Sequence, residues 1–325
     1  LFKIILMLSE NDVLWNTSQI KPAESLKAHE NSVDALKIDP STRTKFATGS
    51  FDATVKVWDV NSLDCLTNFT ADKKGIWTLD YHPSGTELAT GGNSGILALW
   101  DTKTWDCTDK IQAHDGYLFW LSYSPTGDEI ATCSGDGLTH LWDRRNLKTP
   151  VVKFEGKGEA IRSVNFINNG KYLVTTSIKG YITIFEVKTG EKVCQKLIRG
   201  DREEEDHSII YCIRPMKKTN NVFTTTHQDF KARTWEFDEE VLDFSQIKEF
   251  EGHTNTLRNI EYSPSEKEIV TSCEDHSLRI WDMTNAESQL LLAGHQDFVV
   301  AAEYIDESRL ISSSWDLTVK IWNLN

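Results

Sequence analysis

Four sets of side chains along this chain carry the residue types of acid–base chemistry at a nearly constant spacing. His29, Asp52 and Trp58 return as His114, Asp136 and Trp142, as His253, Asp275 and Trp281, and as His295, Asp316 and Trp322. The His to Asp separations are 23, 22, 22 and 21 residues by subtraction of the residue numbers. With a hydroxyl such as Ser50, Ser134 or Ser314 nearby, a set holds the parts of a hydrolase triad: nucleophile, imidazole base and orienting carboxylate. A catalyst needs one set in one pocket, whereas this chain has at least four at the same point of similar units. An imidazole, a carboxylate and an indole N–H can also brace a core, costly to bury unpaired but rigid once every donor meets an acceptor. That structural role fits a repeated set, and Ser50, Ser134 and Ser314 are expected to join it. Nine histidines spread over separate units argue against a metal centre, and no catalytic residue or cofactor is expected.

The elements that carry these sets recur with one period. Short β-rich runs close on an aromatic residue and usually a small polar or acidic partner. These pairs are Trp15-Asn16, Trp58-Asp59, Trp100-Asp101, Trp142-Asp143, Phe185-Glu186, Trp235-Glu236, Trp281-Asp282 and Trp322-Asn323. Their aromatics lie 43, 42, 42, 43, 50, 46 and 41 residues apart by subtraction, the period of a unit of four strands. The run from Ser25 to Asp59 shows one unit: an outer strand ending at His29, then alternating strands at Val33 to Ile38, Lys45 to Ser50 and Thr54 to Trp58. Turns fall at Asp39-Pro40-Ser41 and Phe51-Asp52-Ala53. Such a sheet cannot bury both faces alone, so it must stack on copies of itself.

Composition narrows the function classes. The 325 residues with 39% hydrophobic content suffice for a packed core, and a net charge of −14 argues against a nucleic-acid partner. Six cysteines, Cys65, Cys107, Cys133, Cys194, Cys212 and Cys273, stand singly and read as reduced core thiols, which implies the cytoplasm or nucleus. The apolar start, Leu1 to Leu8, is too short to span a bilayer and reads as a strand, so no membrane is expected. Val13 to Trp15 reads as its strand partner, and Met7 stands as a candidate natural start. Residues 1–20 thus form a leader, an extra strand pair on the rim or the remnant of a further unit.

On these residues the chain resembles the WD-repeat β-propeller family. The Ala28-His29, Ala113-His114, Gly252-His253 and Gly294-His295 pairs, the turn aspartates and the Trp-Asp closers carry the likeness. The resemblance implies an all-β, seven-bladed propeller of four-stranded antiparallel sheets over 21–325, with the strand near Ser25 to Lys27 completing the last blade beside Val319 to Trp322. Two units depart from the pattern. Repeat two has Asp72 and Asn93 where His and Asp are expected, and repeat four has Lys157, Lys179 and Phe185, so that blade is expected to be softer or to be held by apolar packing alone. Repeat five carries an acidic run from Glu203 to Asp206, read as a solvated loop or as a docking site for a basic partner.

In such a propeller the top opening is lined by the residue after the first apolar residue of each inner strand and by the residue before each turn aspartate. The first set is Asp34, Trp77, Phe119, Arg162, Tyr211, Arg258 and Val300, and the second is Phe51, Gly92, Gly135, Ile178, Gln228, Glu274 and Trp315. Five aromatics and two arginines in fourteen loop positions are the residue types of binding hot spots. Trp315, Phe51, Trp77 and Phe119 are expected to form one apolar arc, with Arg162 and Arg258 flanking Tyr211 opposite it. The reading is a non-enzymatic scaffold, monomeric by itself, that docks peptides of other proteins on its top face and rim within a larger complex. The alternative is a substrate receptor for a cullin-type ubiquitin ligase, through Arg145 of Trp142-Asp143-Arg144-Arg145.

Overall fold

The structure, a computed structural model, describes residues 18–155, 158–200 and 209–324. The proposed leader strands at Ile4 to Leu8 and Val13 to Trp15, Lys157 and the acidic run at Glu203 to Asp206 lie outside these residues. Strands dominate, and no α-helix is present among the described residues. No helix there is long and apolar enough to cross a membrane.

Seven antiparallel sheets of four strands form the blades of a propeller. Their inner strands are Val33–Ile38, Ile76–Tyr81, Leu118–Tyr123, Ile161–Ile167, Ile210–Pro215, Leu257–Tyr262 and Val299–Asp306, each packed against its neighbours around a central channel. The ring closes by strand exchange along the chain. Glu24–Lys27 pairs antiparallel with Thr318–Asn323, Leu26 opposite Val319, so the last blade takes its outer strand from the start of the propeller. Ser18–Ile20 runs parallel to Ser288–Ala293 and adds a fifth strand to blade six.

The core lies between blades. Ala301, Ile311 and Val319 of blade seven pack with Val33, Phe46 and Trp58 of blade one. Leu97 and Leu99 of blade two likewise meet Leu121 and Trp142 of blade three. Each interface buries one face of two sheets, which is why the alternating strands read so clearly in sequence.

Inside the blades the repeated polar set forms a directed chain. In blade one the Trp58 Nε1–H donates to Thr48 Oγ1 at 2.9 Å, Thr48 meets His29 Nε2 at 2.7 Å, and His29 Nδ1 meets Asp52 Oδ2 at 3.0 Å. Asp52 also receives the backbone N–H of Glu30 at 3.1 Å and of Thr54 at 2.9 Å. One assignment satisfies every group: indole N–H to hydroxyl, hydroxyl to Nε2, Nδ1–H to carboxylate, with the imidazole neutral. Blade three repeats it through Trp142, Thr132, His114 and Asp136, blade six through Trp281, Thr271, His253 and Asp275, and blade seven through Trp322, Ser312, His295 and Asp316.

This corrects the expected hydroxyl. Ser50, Ser134 and Ser314 lie two residues further along the same strand face and accept the backbone N–H of Asp52, Asp136 and Asp316 at 3.0, 3.0 and 3.1 Å. The serines support the turn, and Thr48, Thr132 and Ser312 join imidazole to indole. The turn needs support, because Ala53, Phe230, His276 and Leu317 adopt positive φ of 70°, 73°, 67° and 70° where other blades place glycine.

Two departures resolve differently from the sequence reading. In blade two the hairpin is shifted by one residue, so Ser94 holds the aspartate position and Asp72 the histidine position. Asp72 Oδ2 accepts the Ser94 N–H at 3.3 Å and its Oδ1 accepts the Ser94 hydroxyl, so acid and hydroxyl have exchanged places. Blade four is not held by apolar packing alone. Phe154 and Phe185 pack at 4.9 Å, but the buried Glu159 also accepts from Ser177 at 3.2 Å and pairs with Lys179 at 3.4 Å. A small cavity lined by Phe154, Glu159, Thr175, Ser177, Thr183 and Phe185 remains in that blade.

The histidines are not all apart. His114 and His140 stack at 4.3 Å, and the His140 Nδ1–H donates to the Ala113 carbonyl at 2.9 Å. The cysteines are all free, yet only Cys133, Cys212 and Cys273 are buried, whereas Cys65 and Cys107 are exposed on outer strands.

Burial holds His29, His253 and His295 below the ordinary imidazole value against the pull of their aspartates. Burial and the neighbouring His114 hold His140 at about 4. Burial raises Asp136, but the hydrogen bonds it accepts, from the His114 ring first and from the Leu138 N–H, outweigh it and leave the carboxyl at about 2. Both shifts act in one direction: the unfolded chain takes up histidine protons near pH 6.5, and the folded chain only below it. Their stabilisation is therefore complete above about pH 6.5 and is lost as the pH falls through the folded values. The denaturant midpoint, followed by tryptophan fluorescence, should be steady between about pH 7 and 8.5 and fall between about pH 6.5 and 4.5; a flat profile over the acidic interval would contradict neutral buried imidazoles. Thr132→Val, which strips the hydroxyl from both Trp142 and His114, should cost about 1–3 kcal/mol of stability. Thr175→Val, at the same position of blade four where no such chain is present, should cost less than about 1 kcal/mol. Equal losses would show that the chain braces nothing.

Candidate functional site

The top mouth is built by one backbone device used seven times. The pairing of each inner strand with the next slips by one residue after its first position: between Val33 and Ala35, Ile76 and Thr78, Leu118 and Trp120, and likewise around the ring. The extra residues are Asp34, Trp77, Phe119, Arg162, Tyr211, Arg258 and Val300, the whole of the first expected set. A bulge leaves its extra residue out of the ladder and re-aims its side chain. Asp34 is buried, and the other six are half-buried.

The second set comes from the hairpins. The N–H of Phe51 reaches the Ser32 carbonyl at 3.1 Å, and Gly135, Ile178, Gln228, Glu274 and Trp315 make the same link in their blades. In blade two this link is made by Asn93 to Gly75 at 3.0 Å, so Asn93, not Gly92, stands at the mouth.

On one side the rings form a contiguous wall. Phe51 meets Trp77 edge-on at 5.9 Å, Trp77 meets Phe119 at 6.2 Å, and Tyr117 meets Phe119 at 6.1 Å. The Trp77 indole N–H donates to Asn93 Oδ1. Trp315 stands apart from this wall among the described contacts: it packs on Phe298 at 5.0 Å and donates its indole N–H to Asp34 Oδ1 at 2.9 Å. The expected arc of four is therefore an arc of three, Phe51, Trp77 and Phe119, extended by Tyr117. Phe51 and Tyr117 are the most open, at 40% and 52% exposure.

The two arginines differ in electrostatic state. Both reach the Tyr211 ring, Arg162 at 5.4 Å and Arg258 at 4.7 Å. Arg258 is ion-paired with Glu274 and also lies 5.7 Å from the Trp315 ring. Arg162 lies over Phe119 at 4.6 Å and Trp77 at 5.5 Å and has no ion pair or hydrogen bond among the described residues. Burial, and then repulsion from Arg258, push its guanidinium down to about 10. Asp34 is held by Ser32 Oγ at 2.7 Å as well as by Trp315, and burial raises its carboxyl.

Further down the channel Trp120 reaches from blade three to the apolar core of blades five and six, with the Arg214 guanidinium 5.7 Å from its ring. Below it a cavity of about 540 Å³ opens at the bottom mouth, rimmed by Pro40, Pro83, Pro125, Pro215 and Pro264. Two of its cations are ion-paired, Lys37 with Glu303 and Arg214 with Glu261 at 2.9 Å, while Arg43 donates to the Tyr304 and Ile305 carbonyls. Arg145 projects from a turn beside Asp143 and pairs with it at 3.1 Å, and its neighbour Arg144 forks onto Glu87 at 3.0 and 2.9 Å.

Several contributors were not in the sequence reading. Trp120 follows the bulged Phe119 and so faces the channel; Tyr117 and Phe298 precede inner strands, in loops the positional rule did not cover. In blade five, Trp235 donates to Thr225 at 2.7 Å and Thr225 meets His227 at 2.7 Å. Asp229 there forms a buried fork with Arg233 at 2.7 and 3.1 Å. The spacing of 22 also joins Asp229 to His207, a match in sequence that was passed over; His207 lies outside the described residues. His253, Cys273 and Asp275 bring three potential metal-ligand atoms within 4.8 Å of one another. The hydrogen-bond chain accounts for this cluster, because Cys273 takes the place that Ser314 has in blade seven and accepts the Asp275 N–H at 3.3 Å.

Comparison with known proteins agrees with this architecture. The family described as "WD domain, G-beta repeat" matches residues 20–59, 63–101, 244–282 and 287–323, and the "Anaphase-promoting complex subunit 4 WD40 domain" matches residues 121–214. The chain belongs to the WD-repeat β-propeller family. It is similar to Protein tipD of Dictyostelium discoideum, 26% identical over 36% of this chain and 18% of that protein. It is similar to the Ribosome biogenesis protein WDR12 homolog of Aedes aegypti, 28% identical over 34% of this chain and 30% of that protein. The SIR4-interacting protein SIF2 of Saccharomyces cerevisiae is 32% identical over 22% of this chain and 14% of its own length. The matched stretch spans less than a third of each of these relatives. WD-repeat propellers generally serve as non-enzymatic platforms that bind other proteins.

Proposed function

We propose that this protein is a scaffold that docks peptide segments of partner proteins at its top mouth and so holds them within a larger complex, in the cytoplasm or nucleus. The observation that carries this reading is the ring of seven bulges, which lifts aromatic and arginine side chains out of the strands and leaves most of them half-exposed in mutual contact. Large rings that lose few rotamers on binding, beside a guanidinium, have the composition of an interface hot spot. The six free thiols accord with a reducing compartment. The relatives' names point to protein assemblies, as in a SIR4-interacting protein.

The test is affinity purification of the tagged chain from its own cells, quantified against a Phe51→Ala, Trp77→Ala double variant. Trp77 is half-buried and bonded to Asn93, so melting temperatures are compared in parallel and the single Phe51→Ala variant, at an exposed ring, keeps the test readable if the double variant loses stability. At least one partner should fall by about tenfold or more. Recovery of the same partners at the same levels would sink the top-face site.

A further inference from the structure

Arg162 is a half-buried cation without an ion-pair partner among the described residues, and Asp34 attracts it only through space. Its guanidinium lies between the rings of Trp77, Phe119 and Tyr211 at 5.5, 4.6 and 5.4 Å, and it makes no ion pair or hydrogen bond among the described residues. Ring quadrupoles favour a cation over their faces, yet they leave its N–H groups without acceptors. The other charges at this mouth are engaged: Arg258 with Glu274, and Asp34 with Ser32 and Trp315. Burial and the neighbouring Arg258 both disfavour its positive charge, and an incoming anion would relieve both. Part of the desolvation cost of an ion pair has thus been met by folding, and the ring contacts hold the guanidinium in place before a ligand arrives.

We propose that Arg162 is the receptor for a carboxylate side chain of a docked peptide, with an apolar neighbour of that residue lying on Phe51 and Trp77. The carboxylate bonds to the guanidinium fork, which matches its two oxygens. One unneutralised guanidinium matches one negative charge. A phosphate dianion would bring a second charge close to Glu274 and Asp34, which favours the carboxylate as the anion. The inference rests on the top-mouth reading and deepens it by naming the ligand chemistry.

The experiment is selection of a phage-displayed random peptide library on the full chain, with the Phe51→Ala, Trp77→Ala variant as counter-selection. Selected peptides should share an Asp or Glu beside an apolar residue. Replacing that acid by its amide in the synthetic peptide should weaken binding to the wild type at least about tenfold. Arg162→Gln should weaken the parent peptide by a similar factor, and combining the two changes should cost little more than either alone. Arg162→Lys, which keeps the charge and loses the fork, should give an intermediate loss. The amide peptide leaves the protein untouched, so this arm stands even if the Arg162 variants fold poorly. Peptides that lose binding to the Phe51, Trp77 variant but ignore the acid-to-amide change would overturn the carboxylate and keep the top-mouth reading. A phosphoserine version of the peptide binding more than about tenfold tighter than the acid would reassign the anion to phosphate and overturn the proposal. No enrichment over the counter-selected variant would overturn both.

Discussion

A four-stranded blade has two apolar faces, and in isolation it leaves both in water. Everything else in this molecule follows from the need to cover them at once. Stacking seven blades covers every face but those at the two ends of the row, and bringing the ends together covers those too. Here the closure is covalently asymmetric, because blade seven borrows Glu24–Lys27 from the beginning of the propeller. The joint is therefore packed like any other, with Val33, Phe46 and Trp58 against Ala301, Ile311 and Val319. Separation of blades one and seven exposes a full core face and breaks the outer ladder together, which makes the ring a cooperative unit rather than a row that can fray.

Given closure, each blade must still hold its sharp top turn. The carboxylates of Asp52, Asp136, Asp275 and Asp316 bind the turn on one side and an imidazole on the other, and the imidazole is tied through a hydroxyl to a buried indole. A surface turn is thereby anchored to the blade interior by four consecutive hydrogen bonds. Blade two shows that the anchor matters more than its parts, since Asp72 and Ser94 make a comparable link with the roles exchanged. Blade four keeps only Glu159 for the task and contains a cavity where the chain of donors would run.

What could be read from the residues tracks what is set by local spacing. Trp58, Trp100, Trp142, Phe185, Trp235, Trp281 and Trp322 recur with the blade period because one such aromatic packs into each inter-blade core, so fold and blade number were legible. The bulged positions from Asp34 to Val300 were legible too, because the bulge always follows the first residue of the inner strand. Errors arose where register or distance decides. Thr48 and Ser50 lie on one strand face, and only three-dimensional depth selects Thr48 as the partner of Trp58. Gly91 and Gly92 concealed a one-residue shift that puts Asn93 at the rim. That Trp315 leaves the aromatic wall for Asp34, and that Arg162 lies against rings with no ion pair among the described residues, depends on side chains from different blades. No spacing within one repeat encodes such pairings.

The two ends of the channel obey different rules. Lys37, Arg214, Glu261 and Glu303 below Trp120 neutralise one another beside the cavity of the bottom mouth. At the top stand an aromatic wall and a guanidinium that has no ion-pair partner among the described residues. Between them Trp120 packs against the apolar core of blades five and six, with the Arg214 guanidinium 5.7 Å from its ring. A volume-based ranking would choose the bottom as the binding end. Free energy points the other way, because a ligand gains most where the protein has already given up solvent around a charge and has supplied no partner for it.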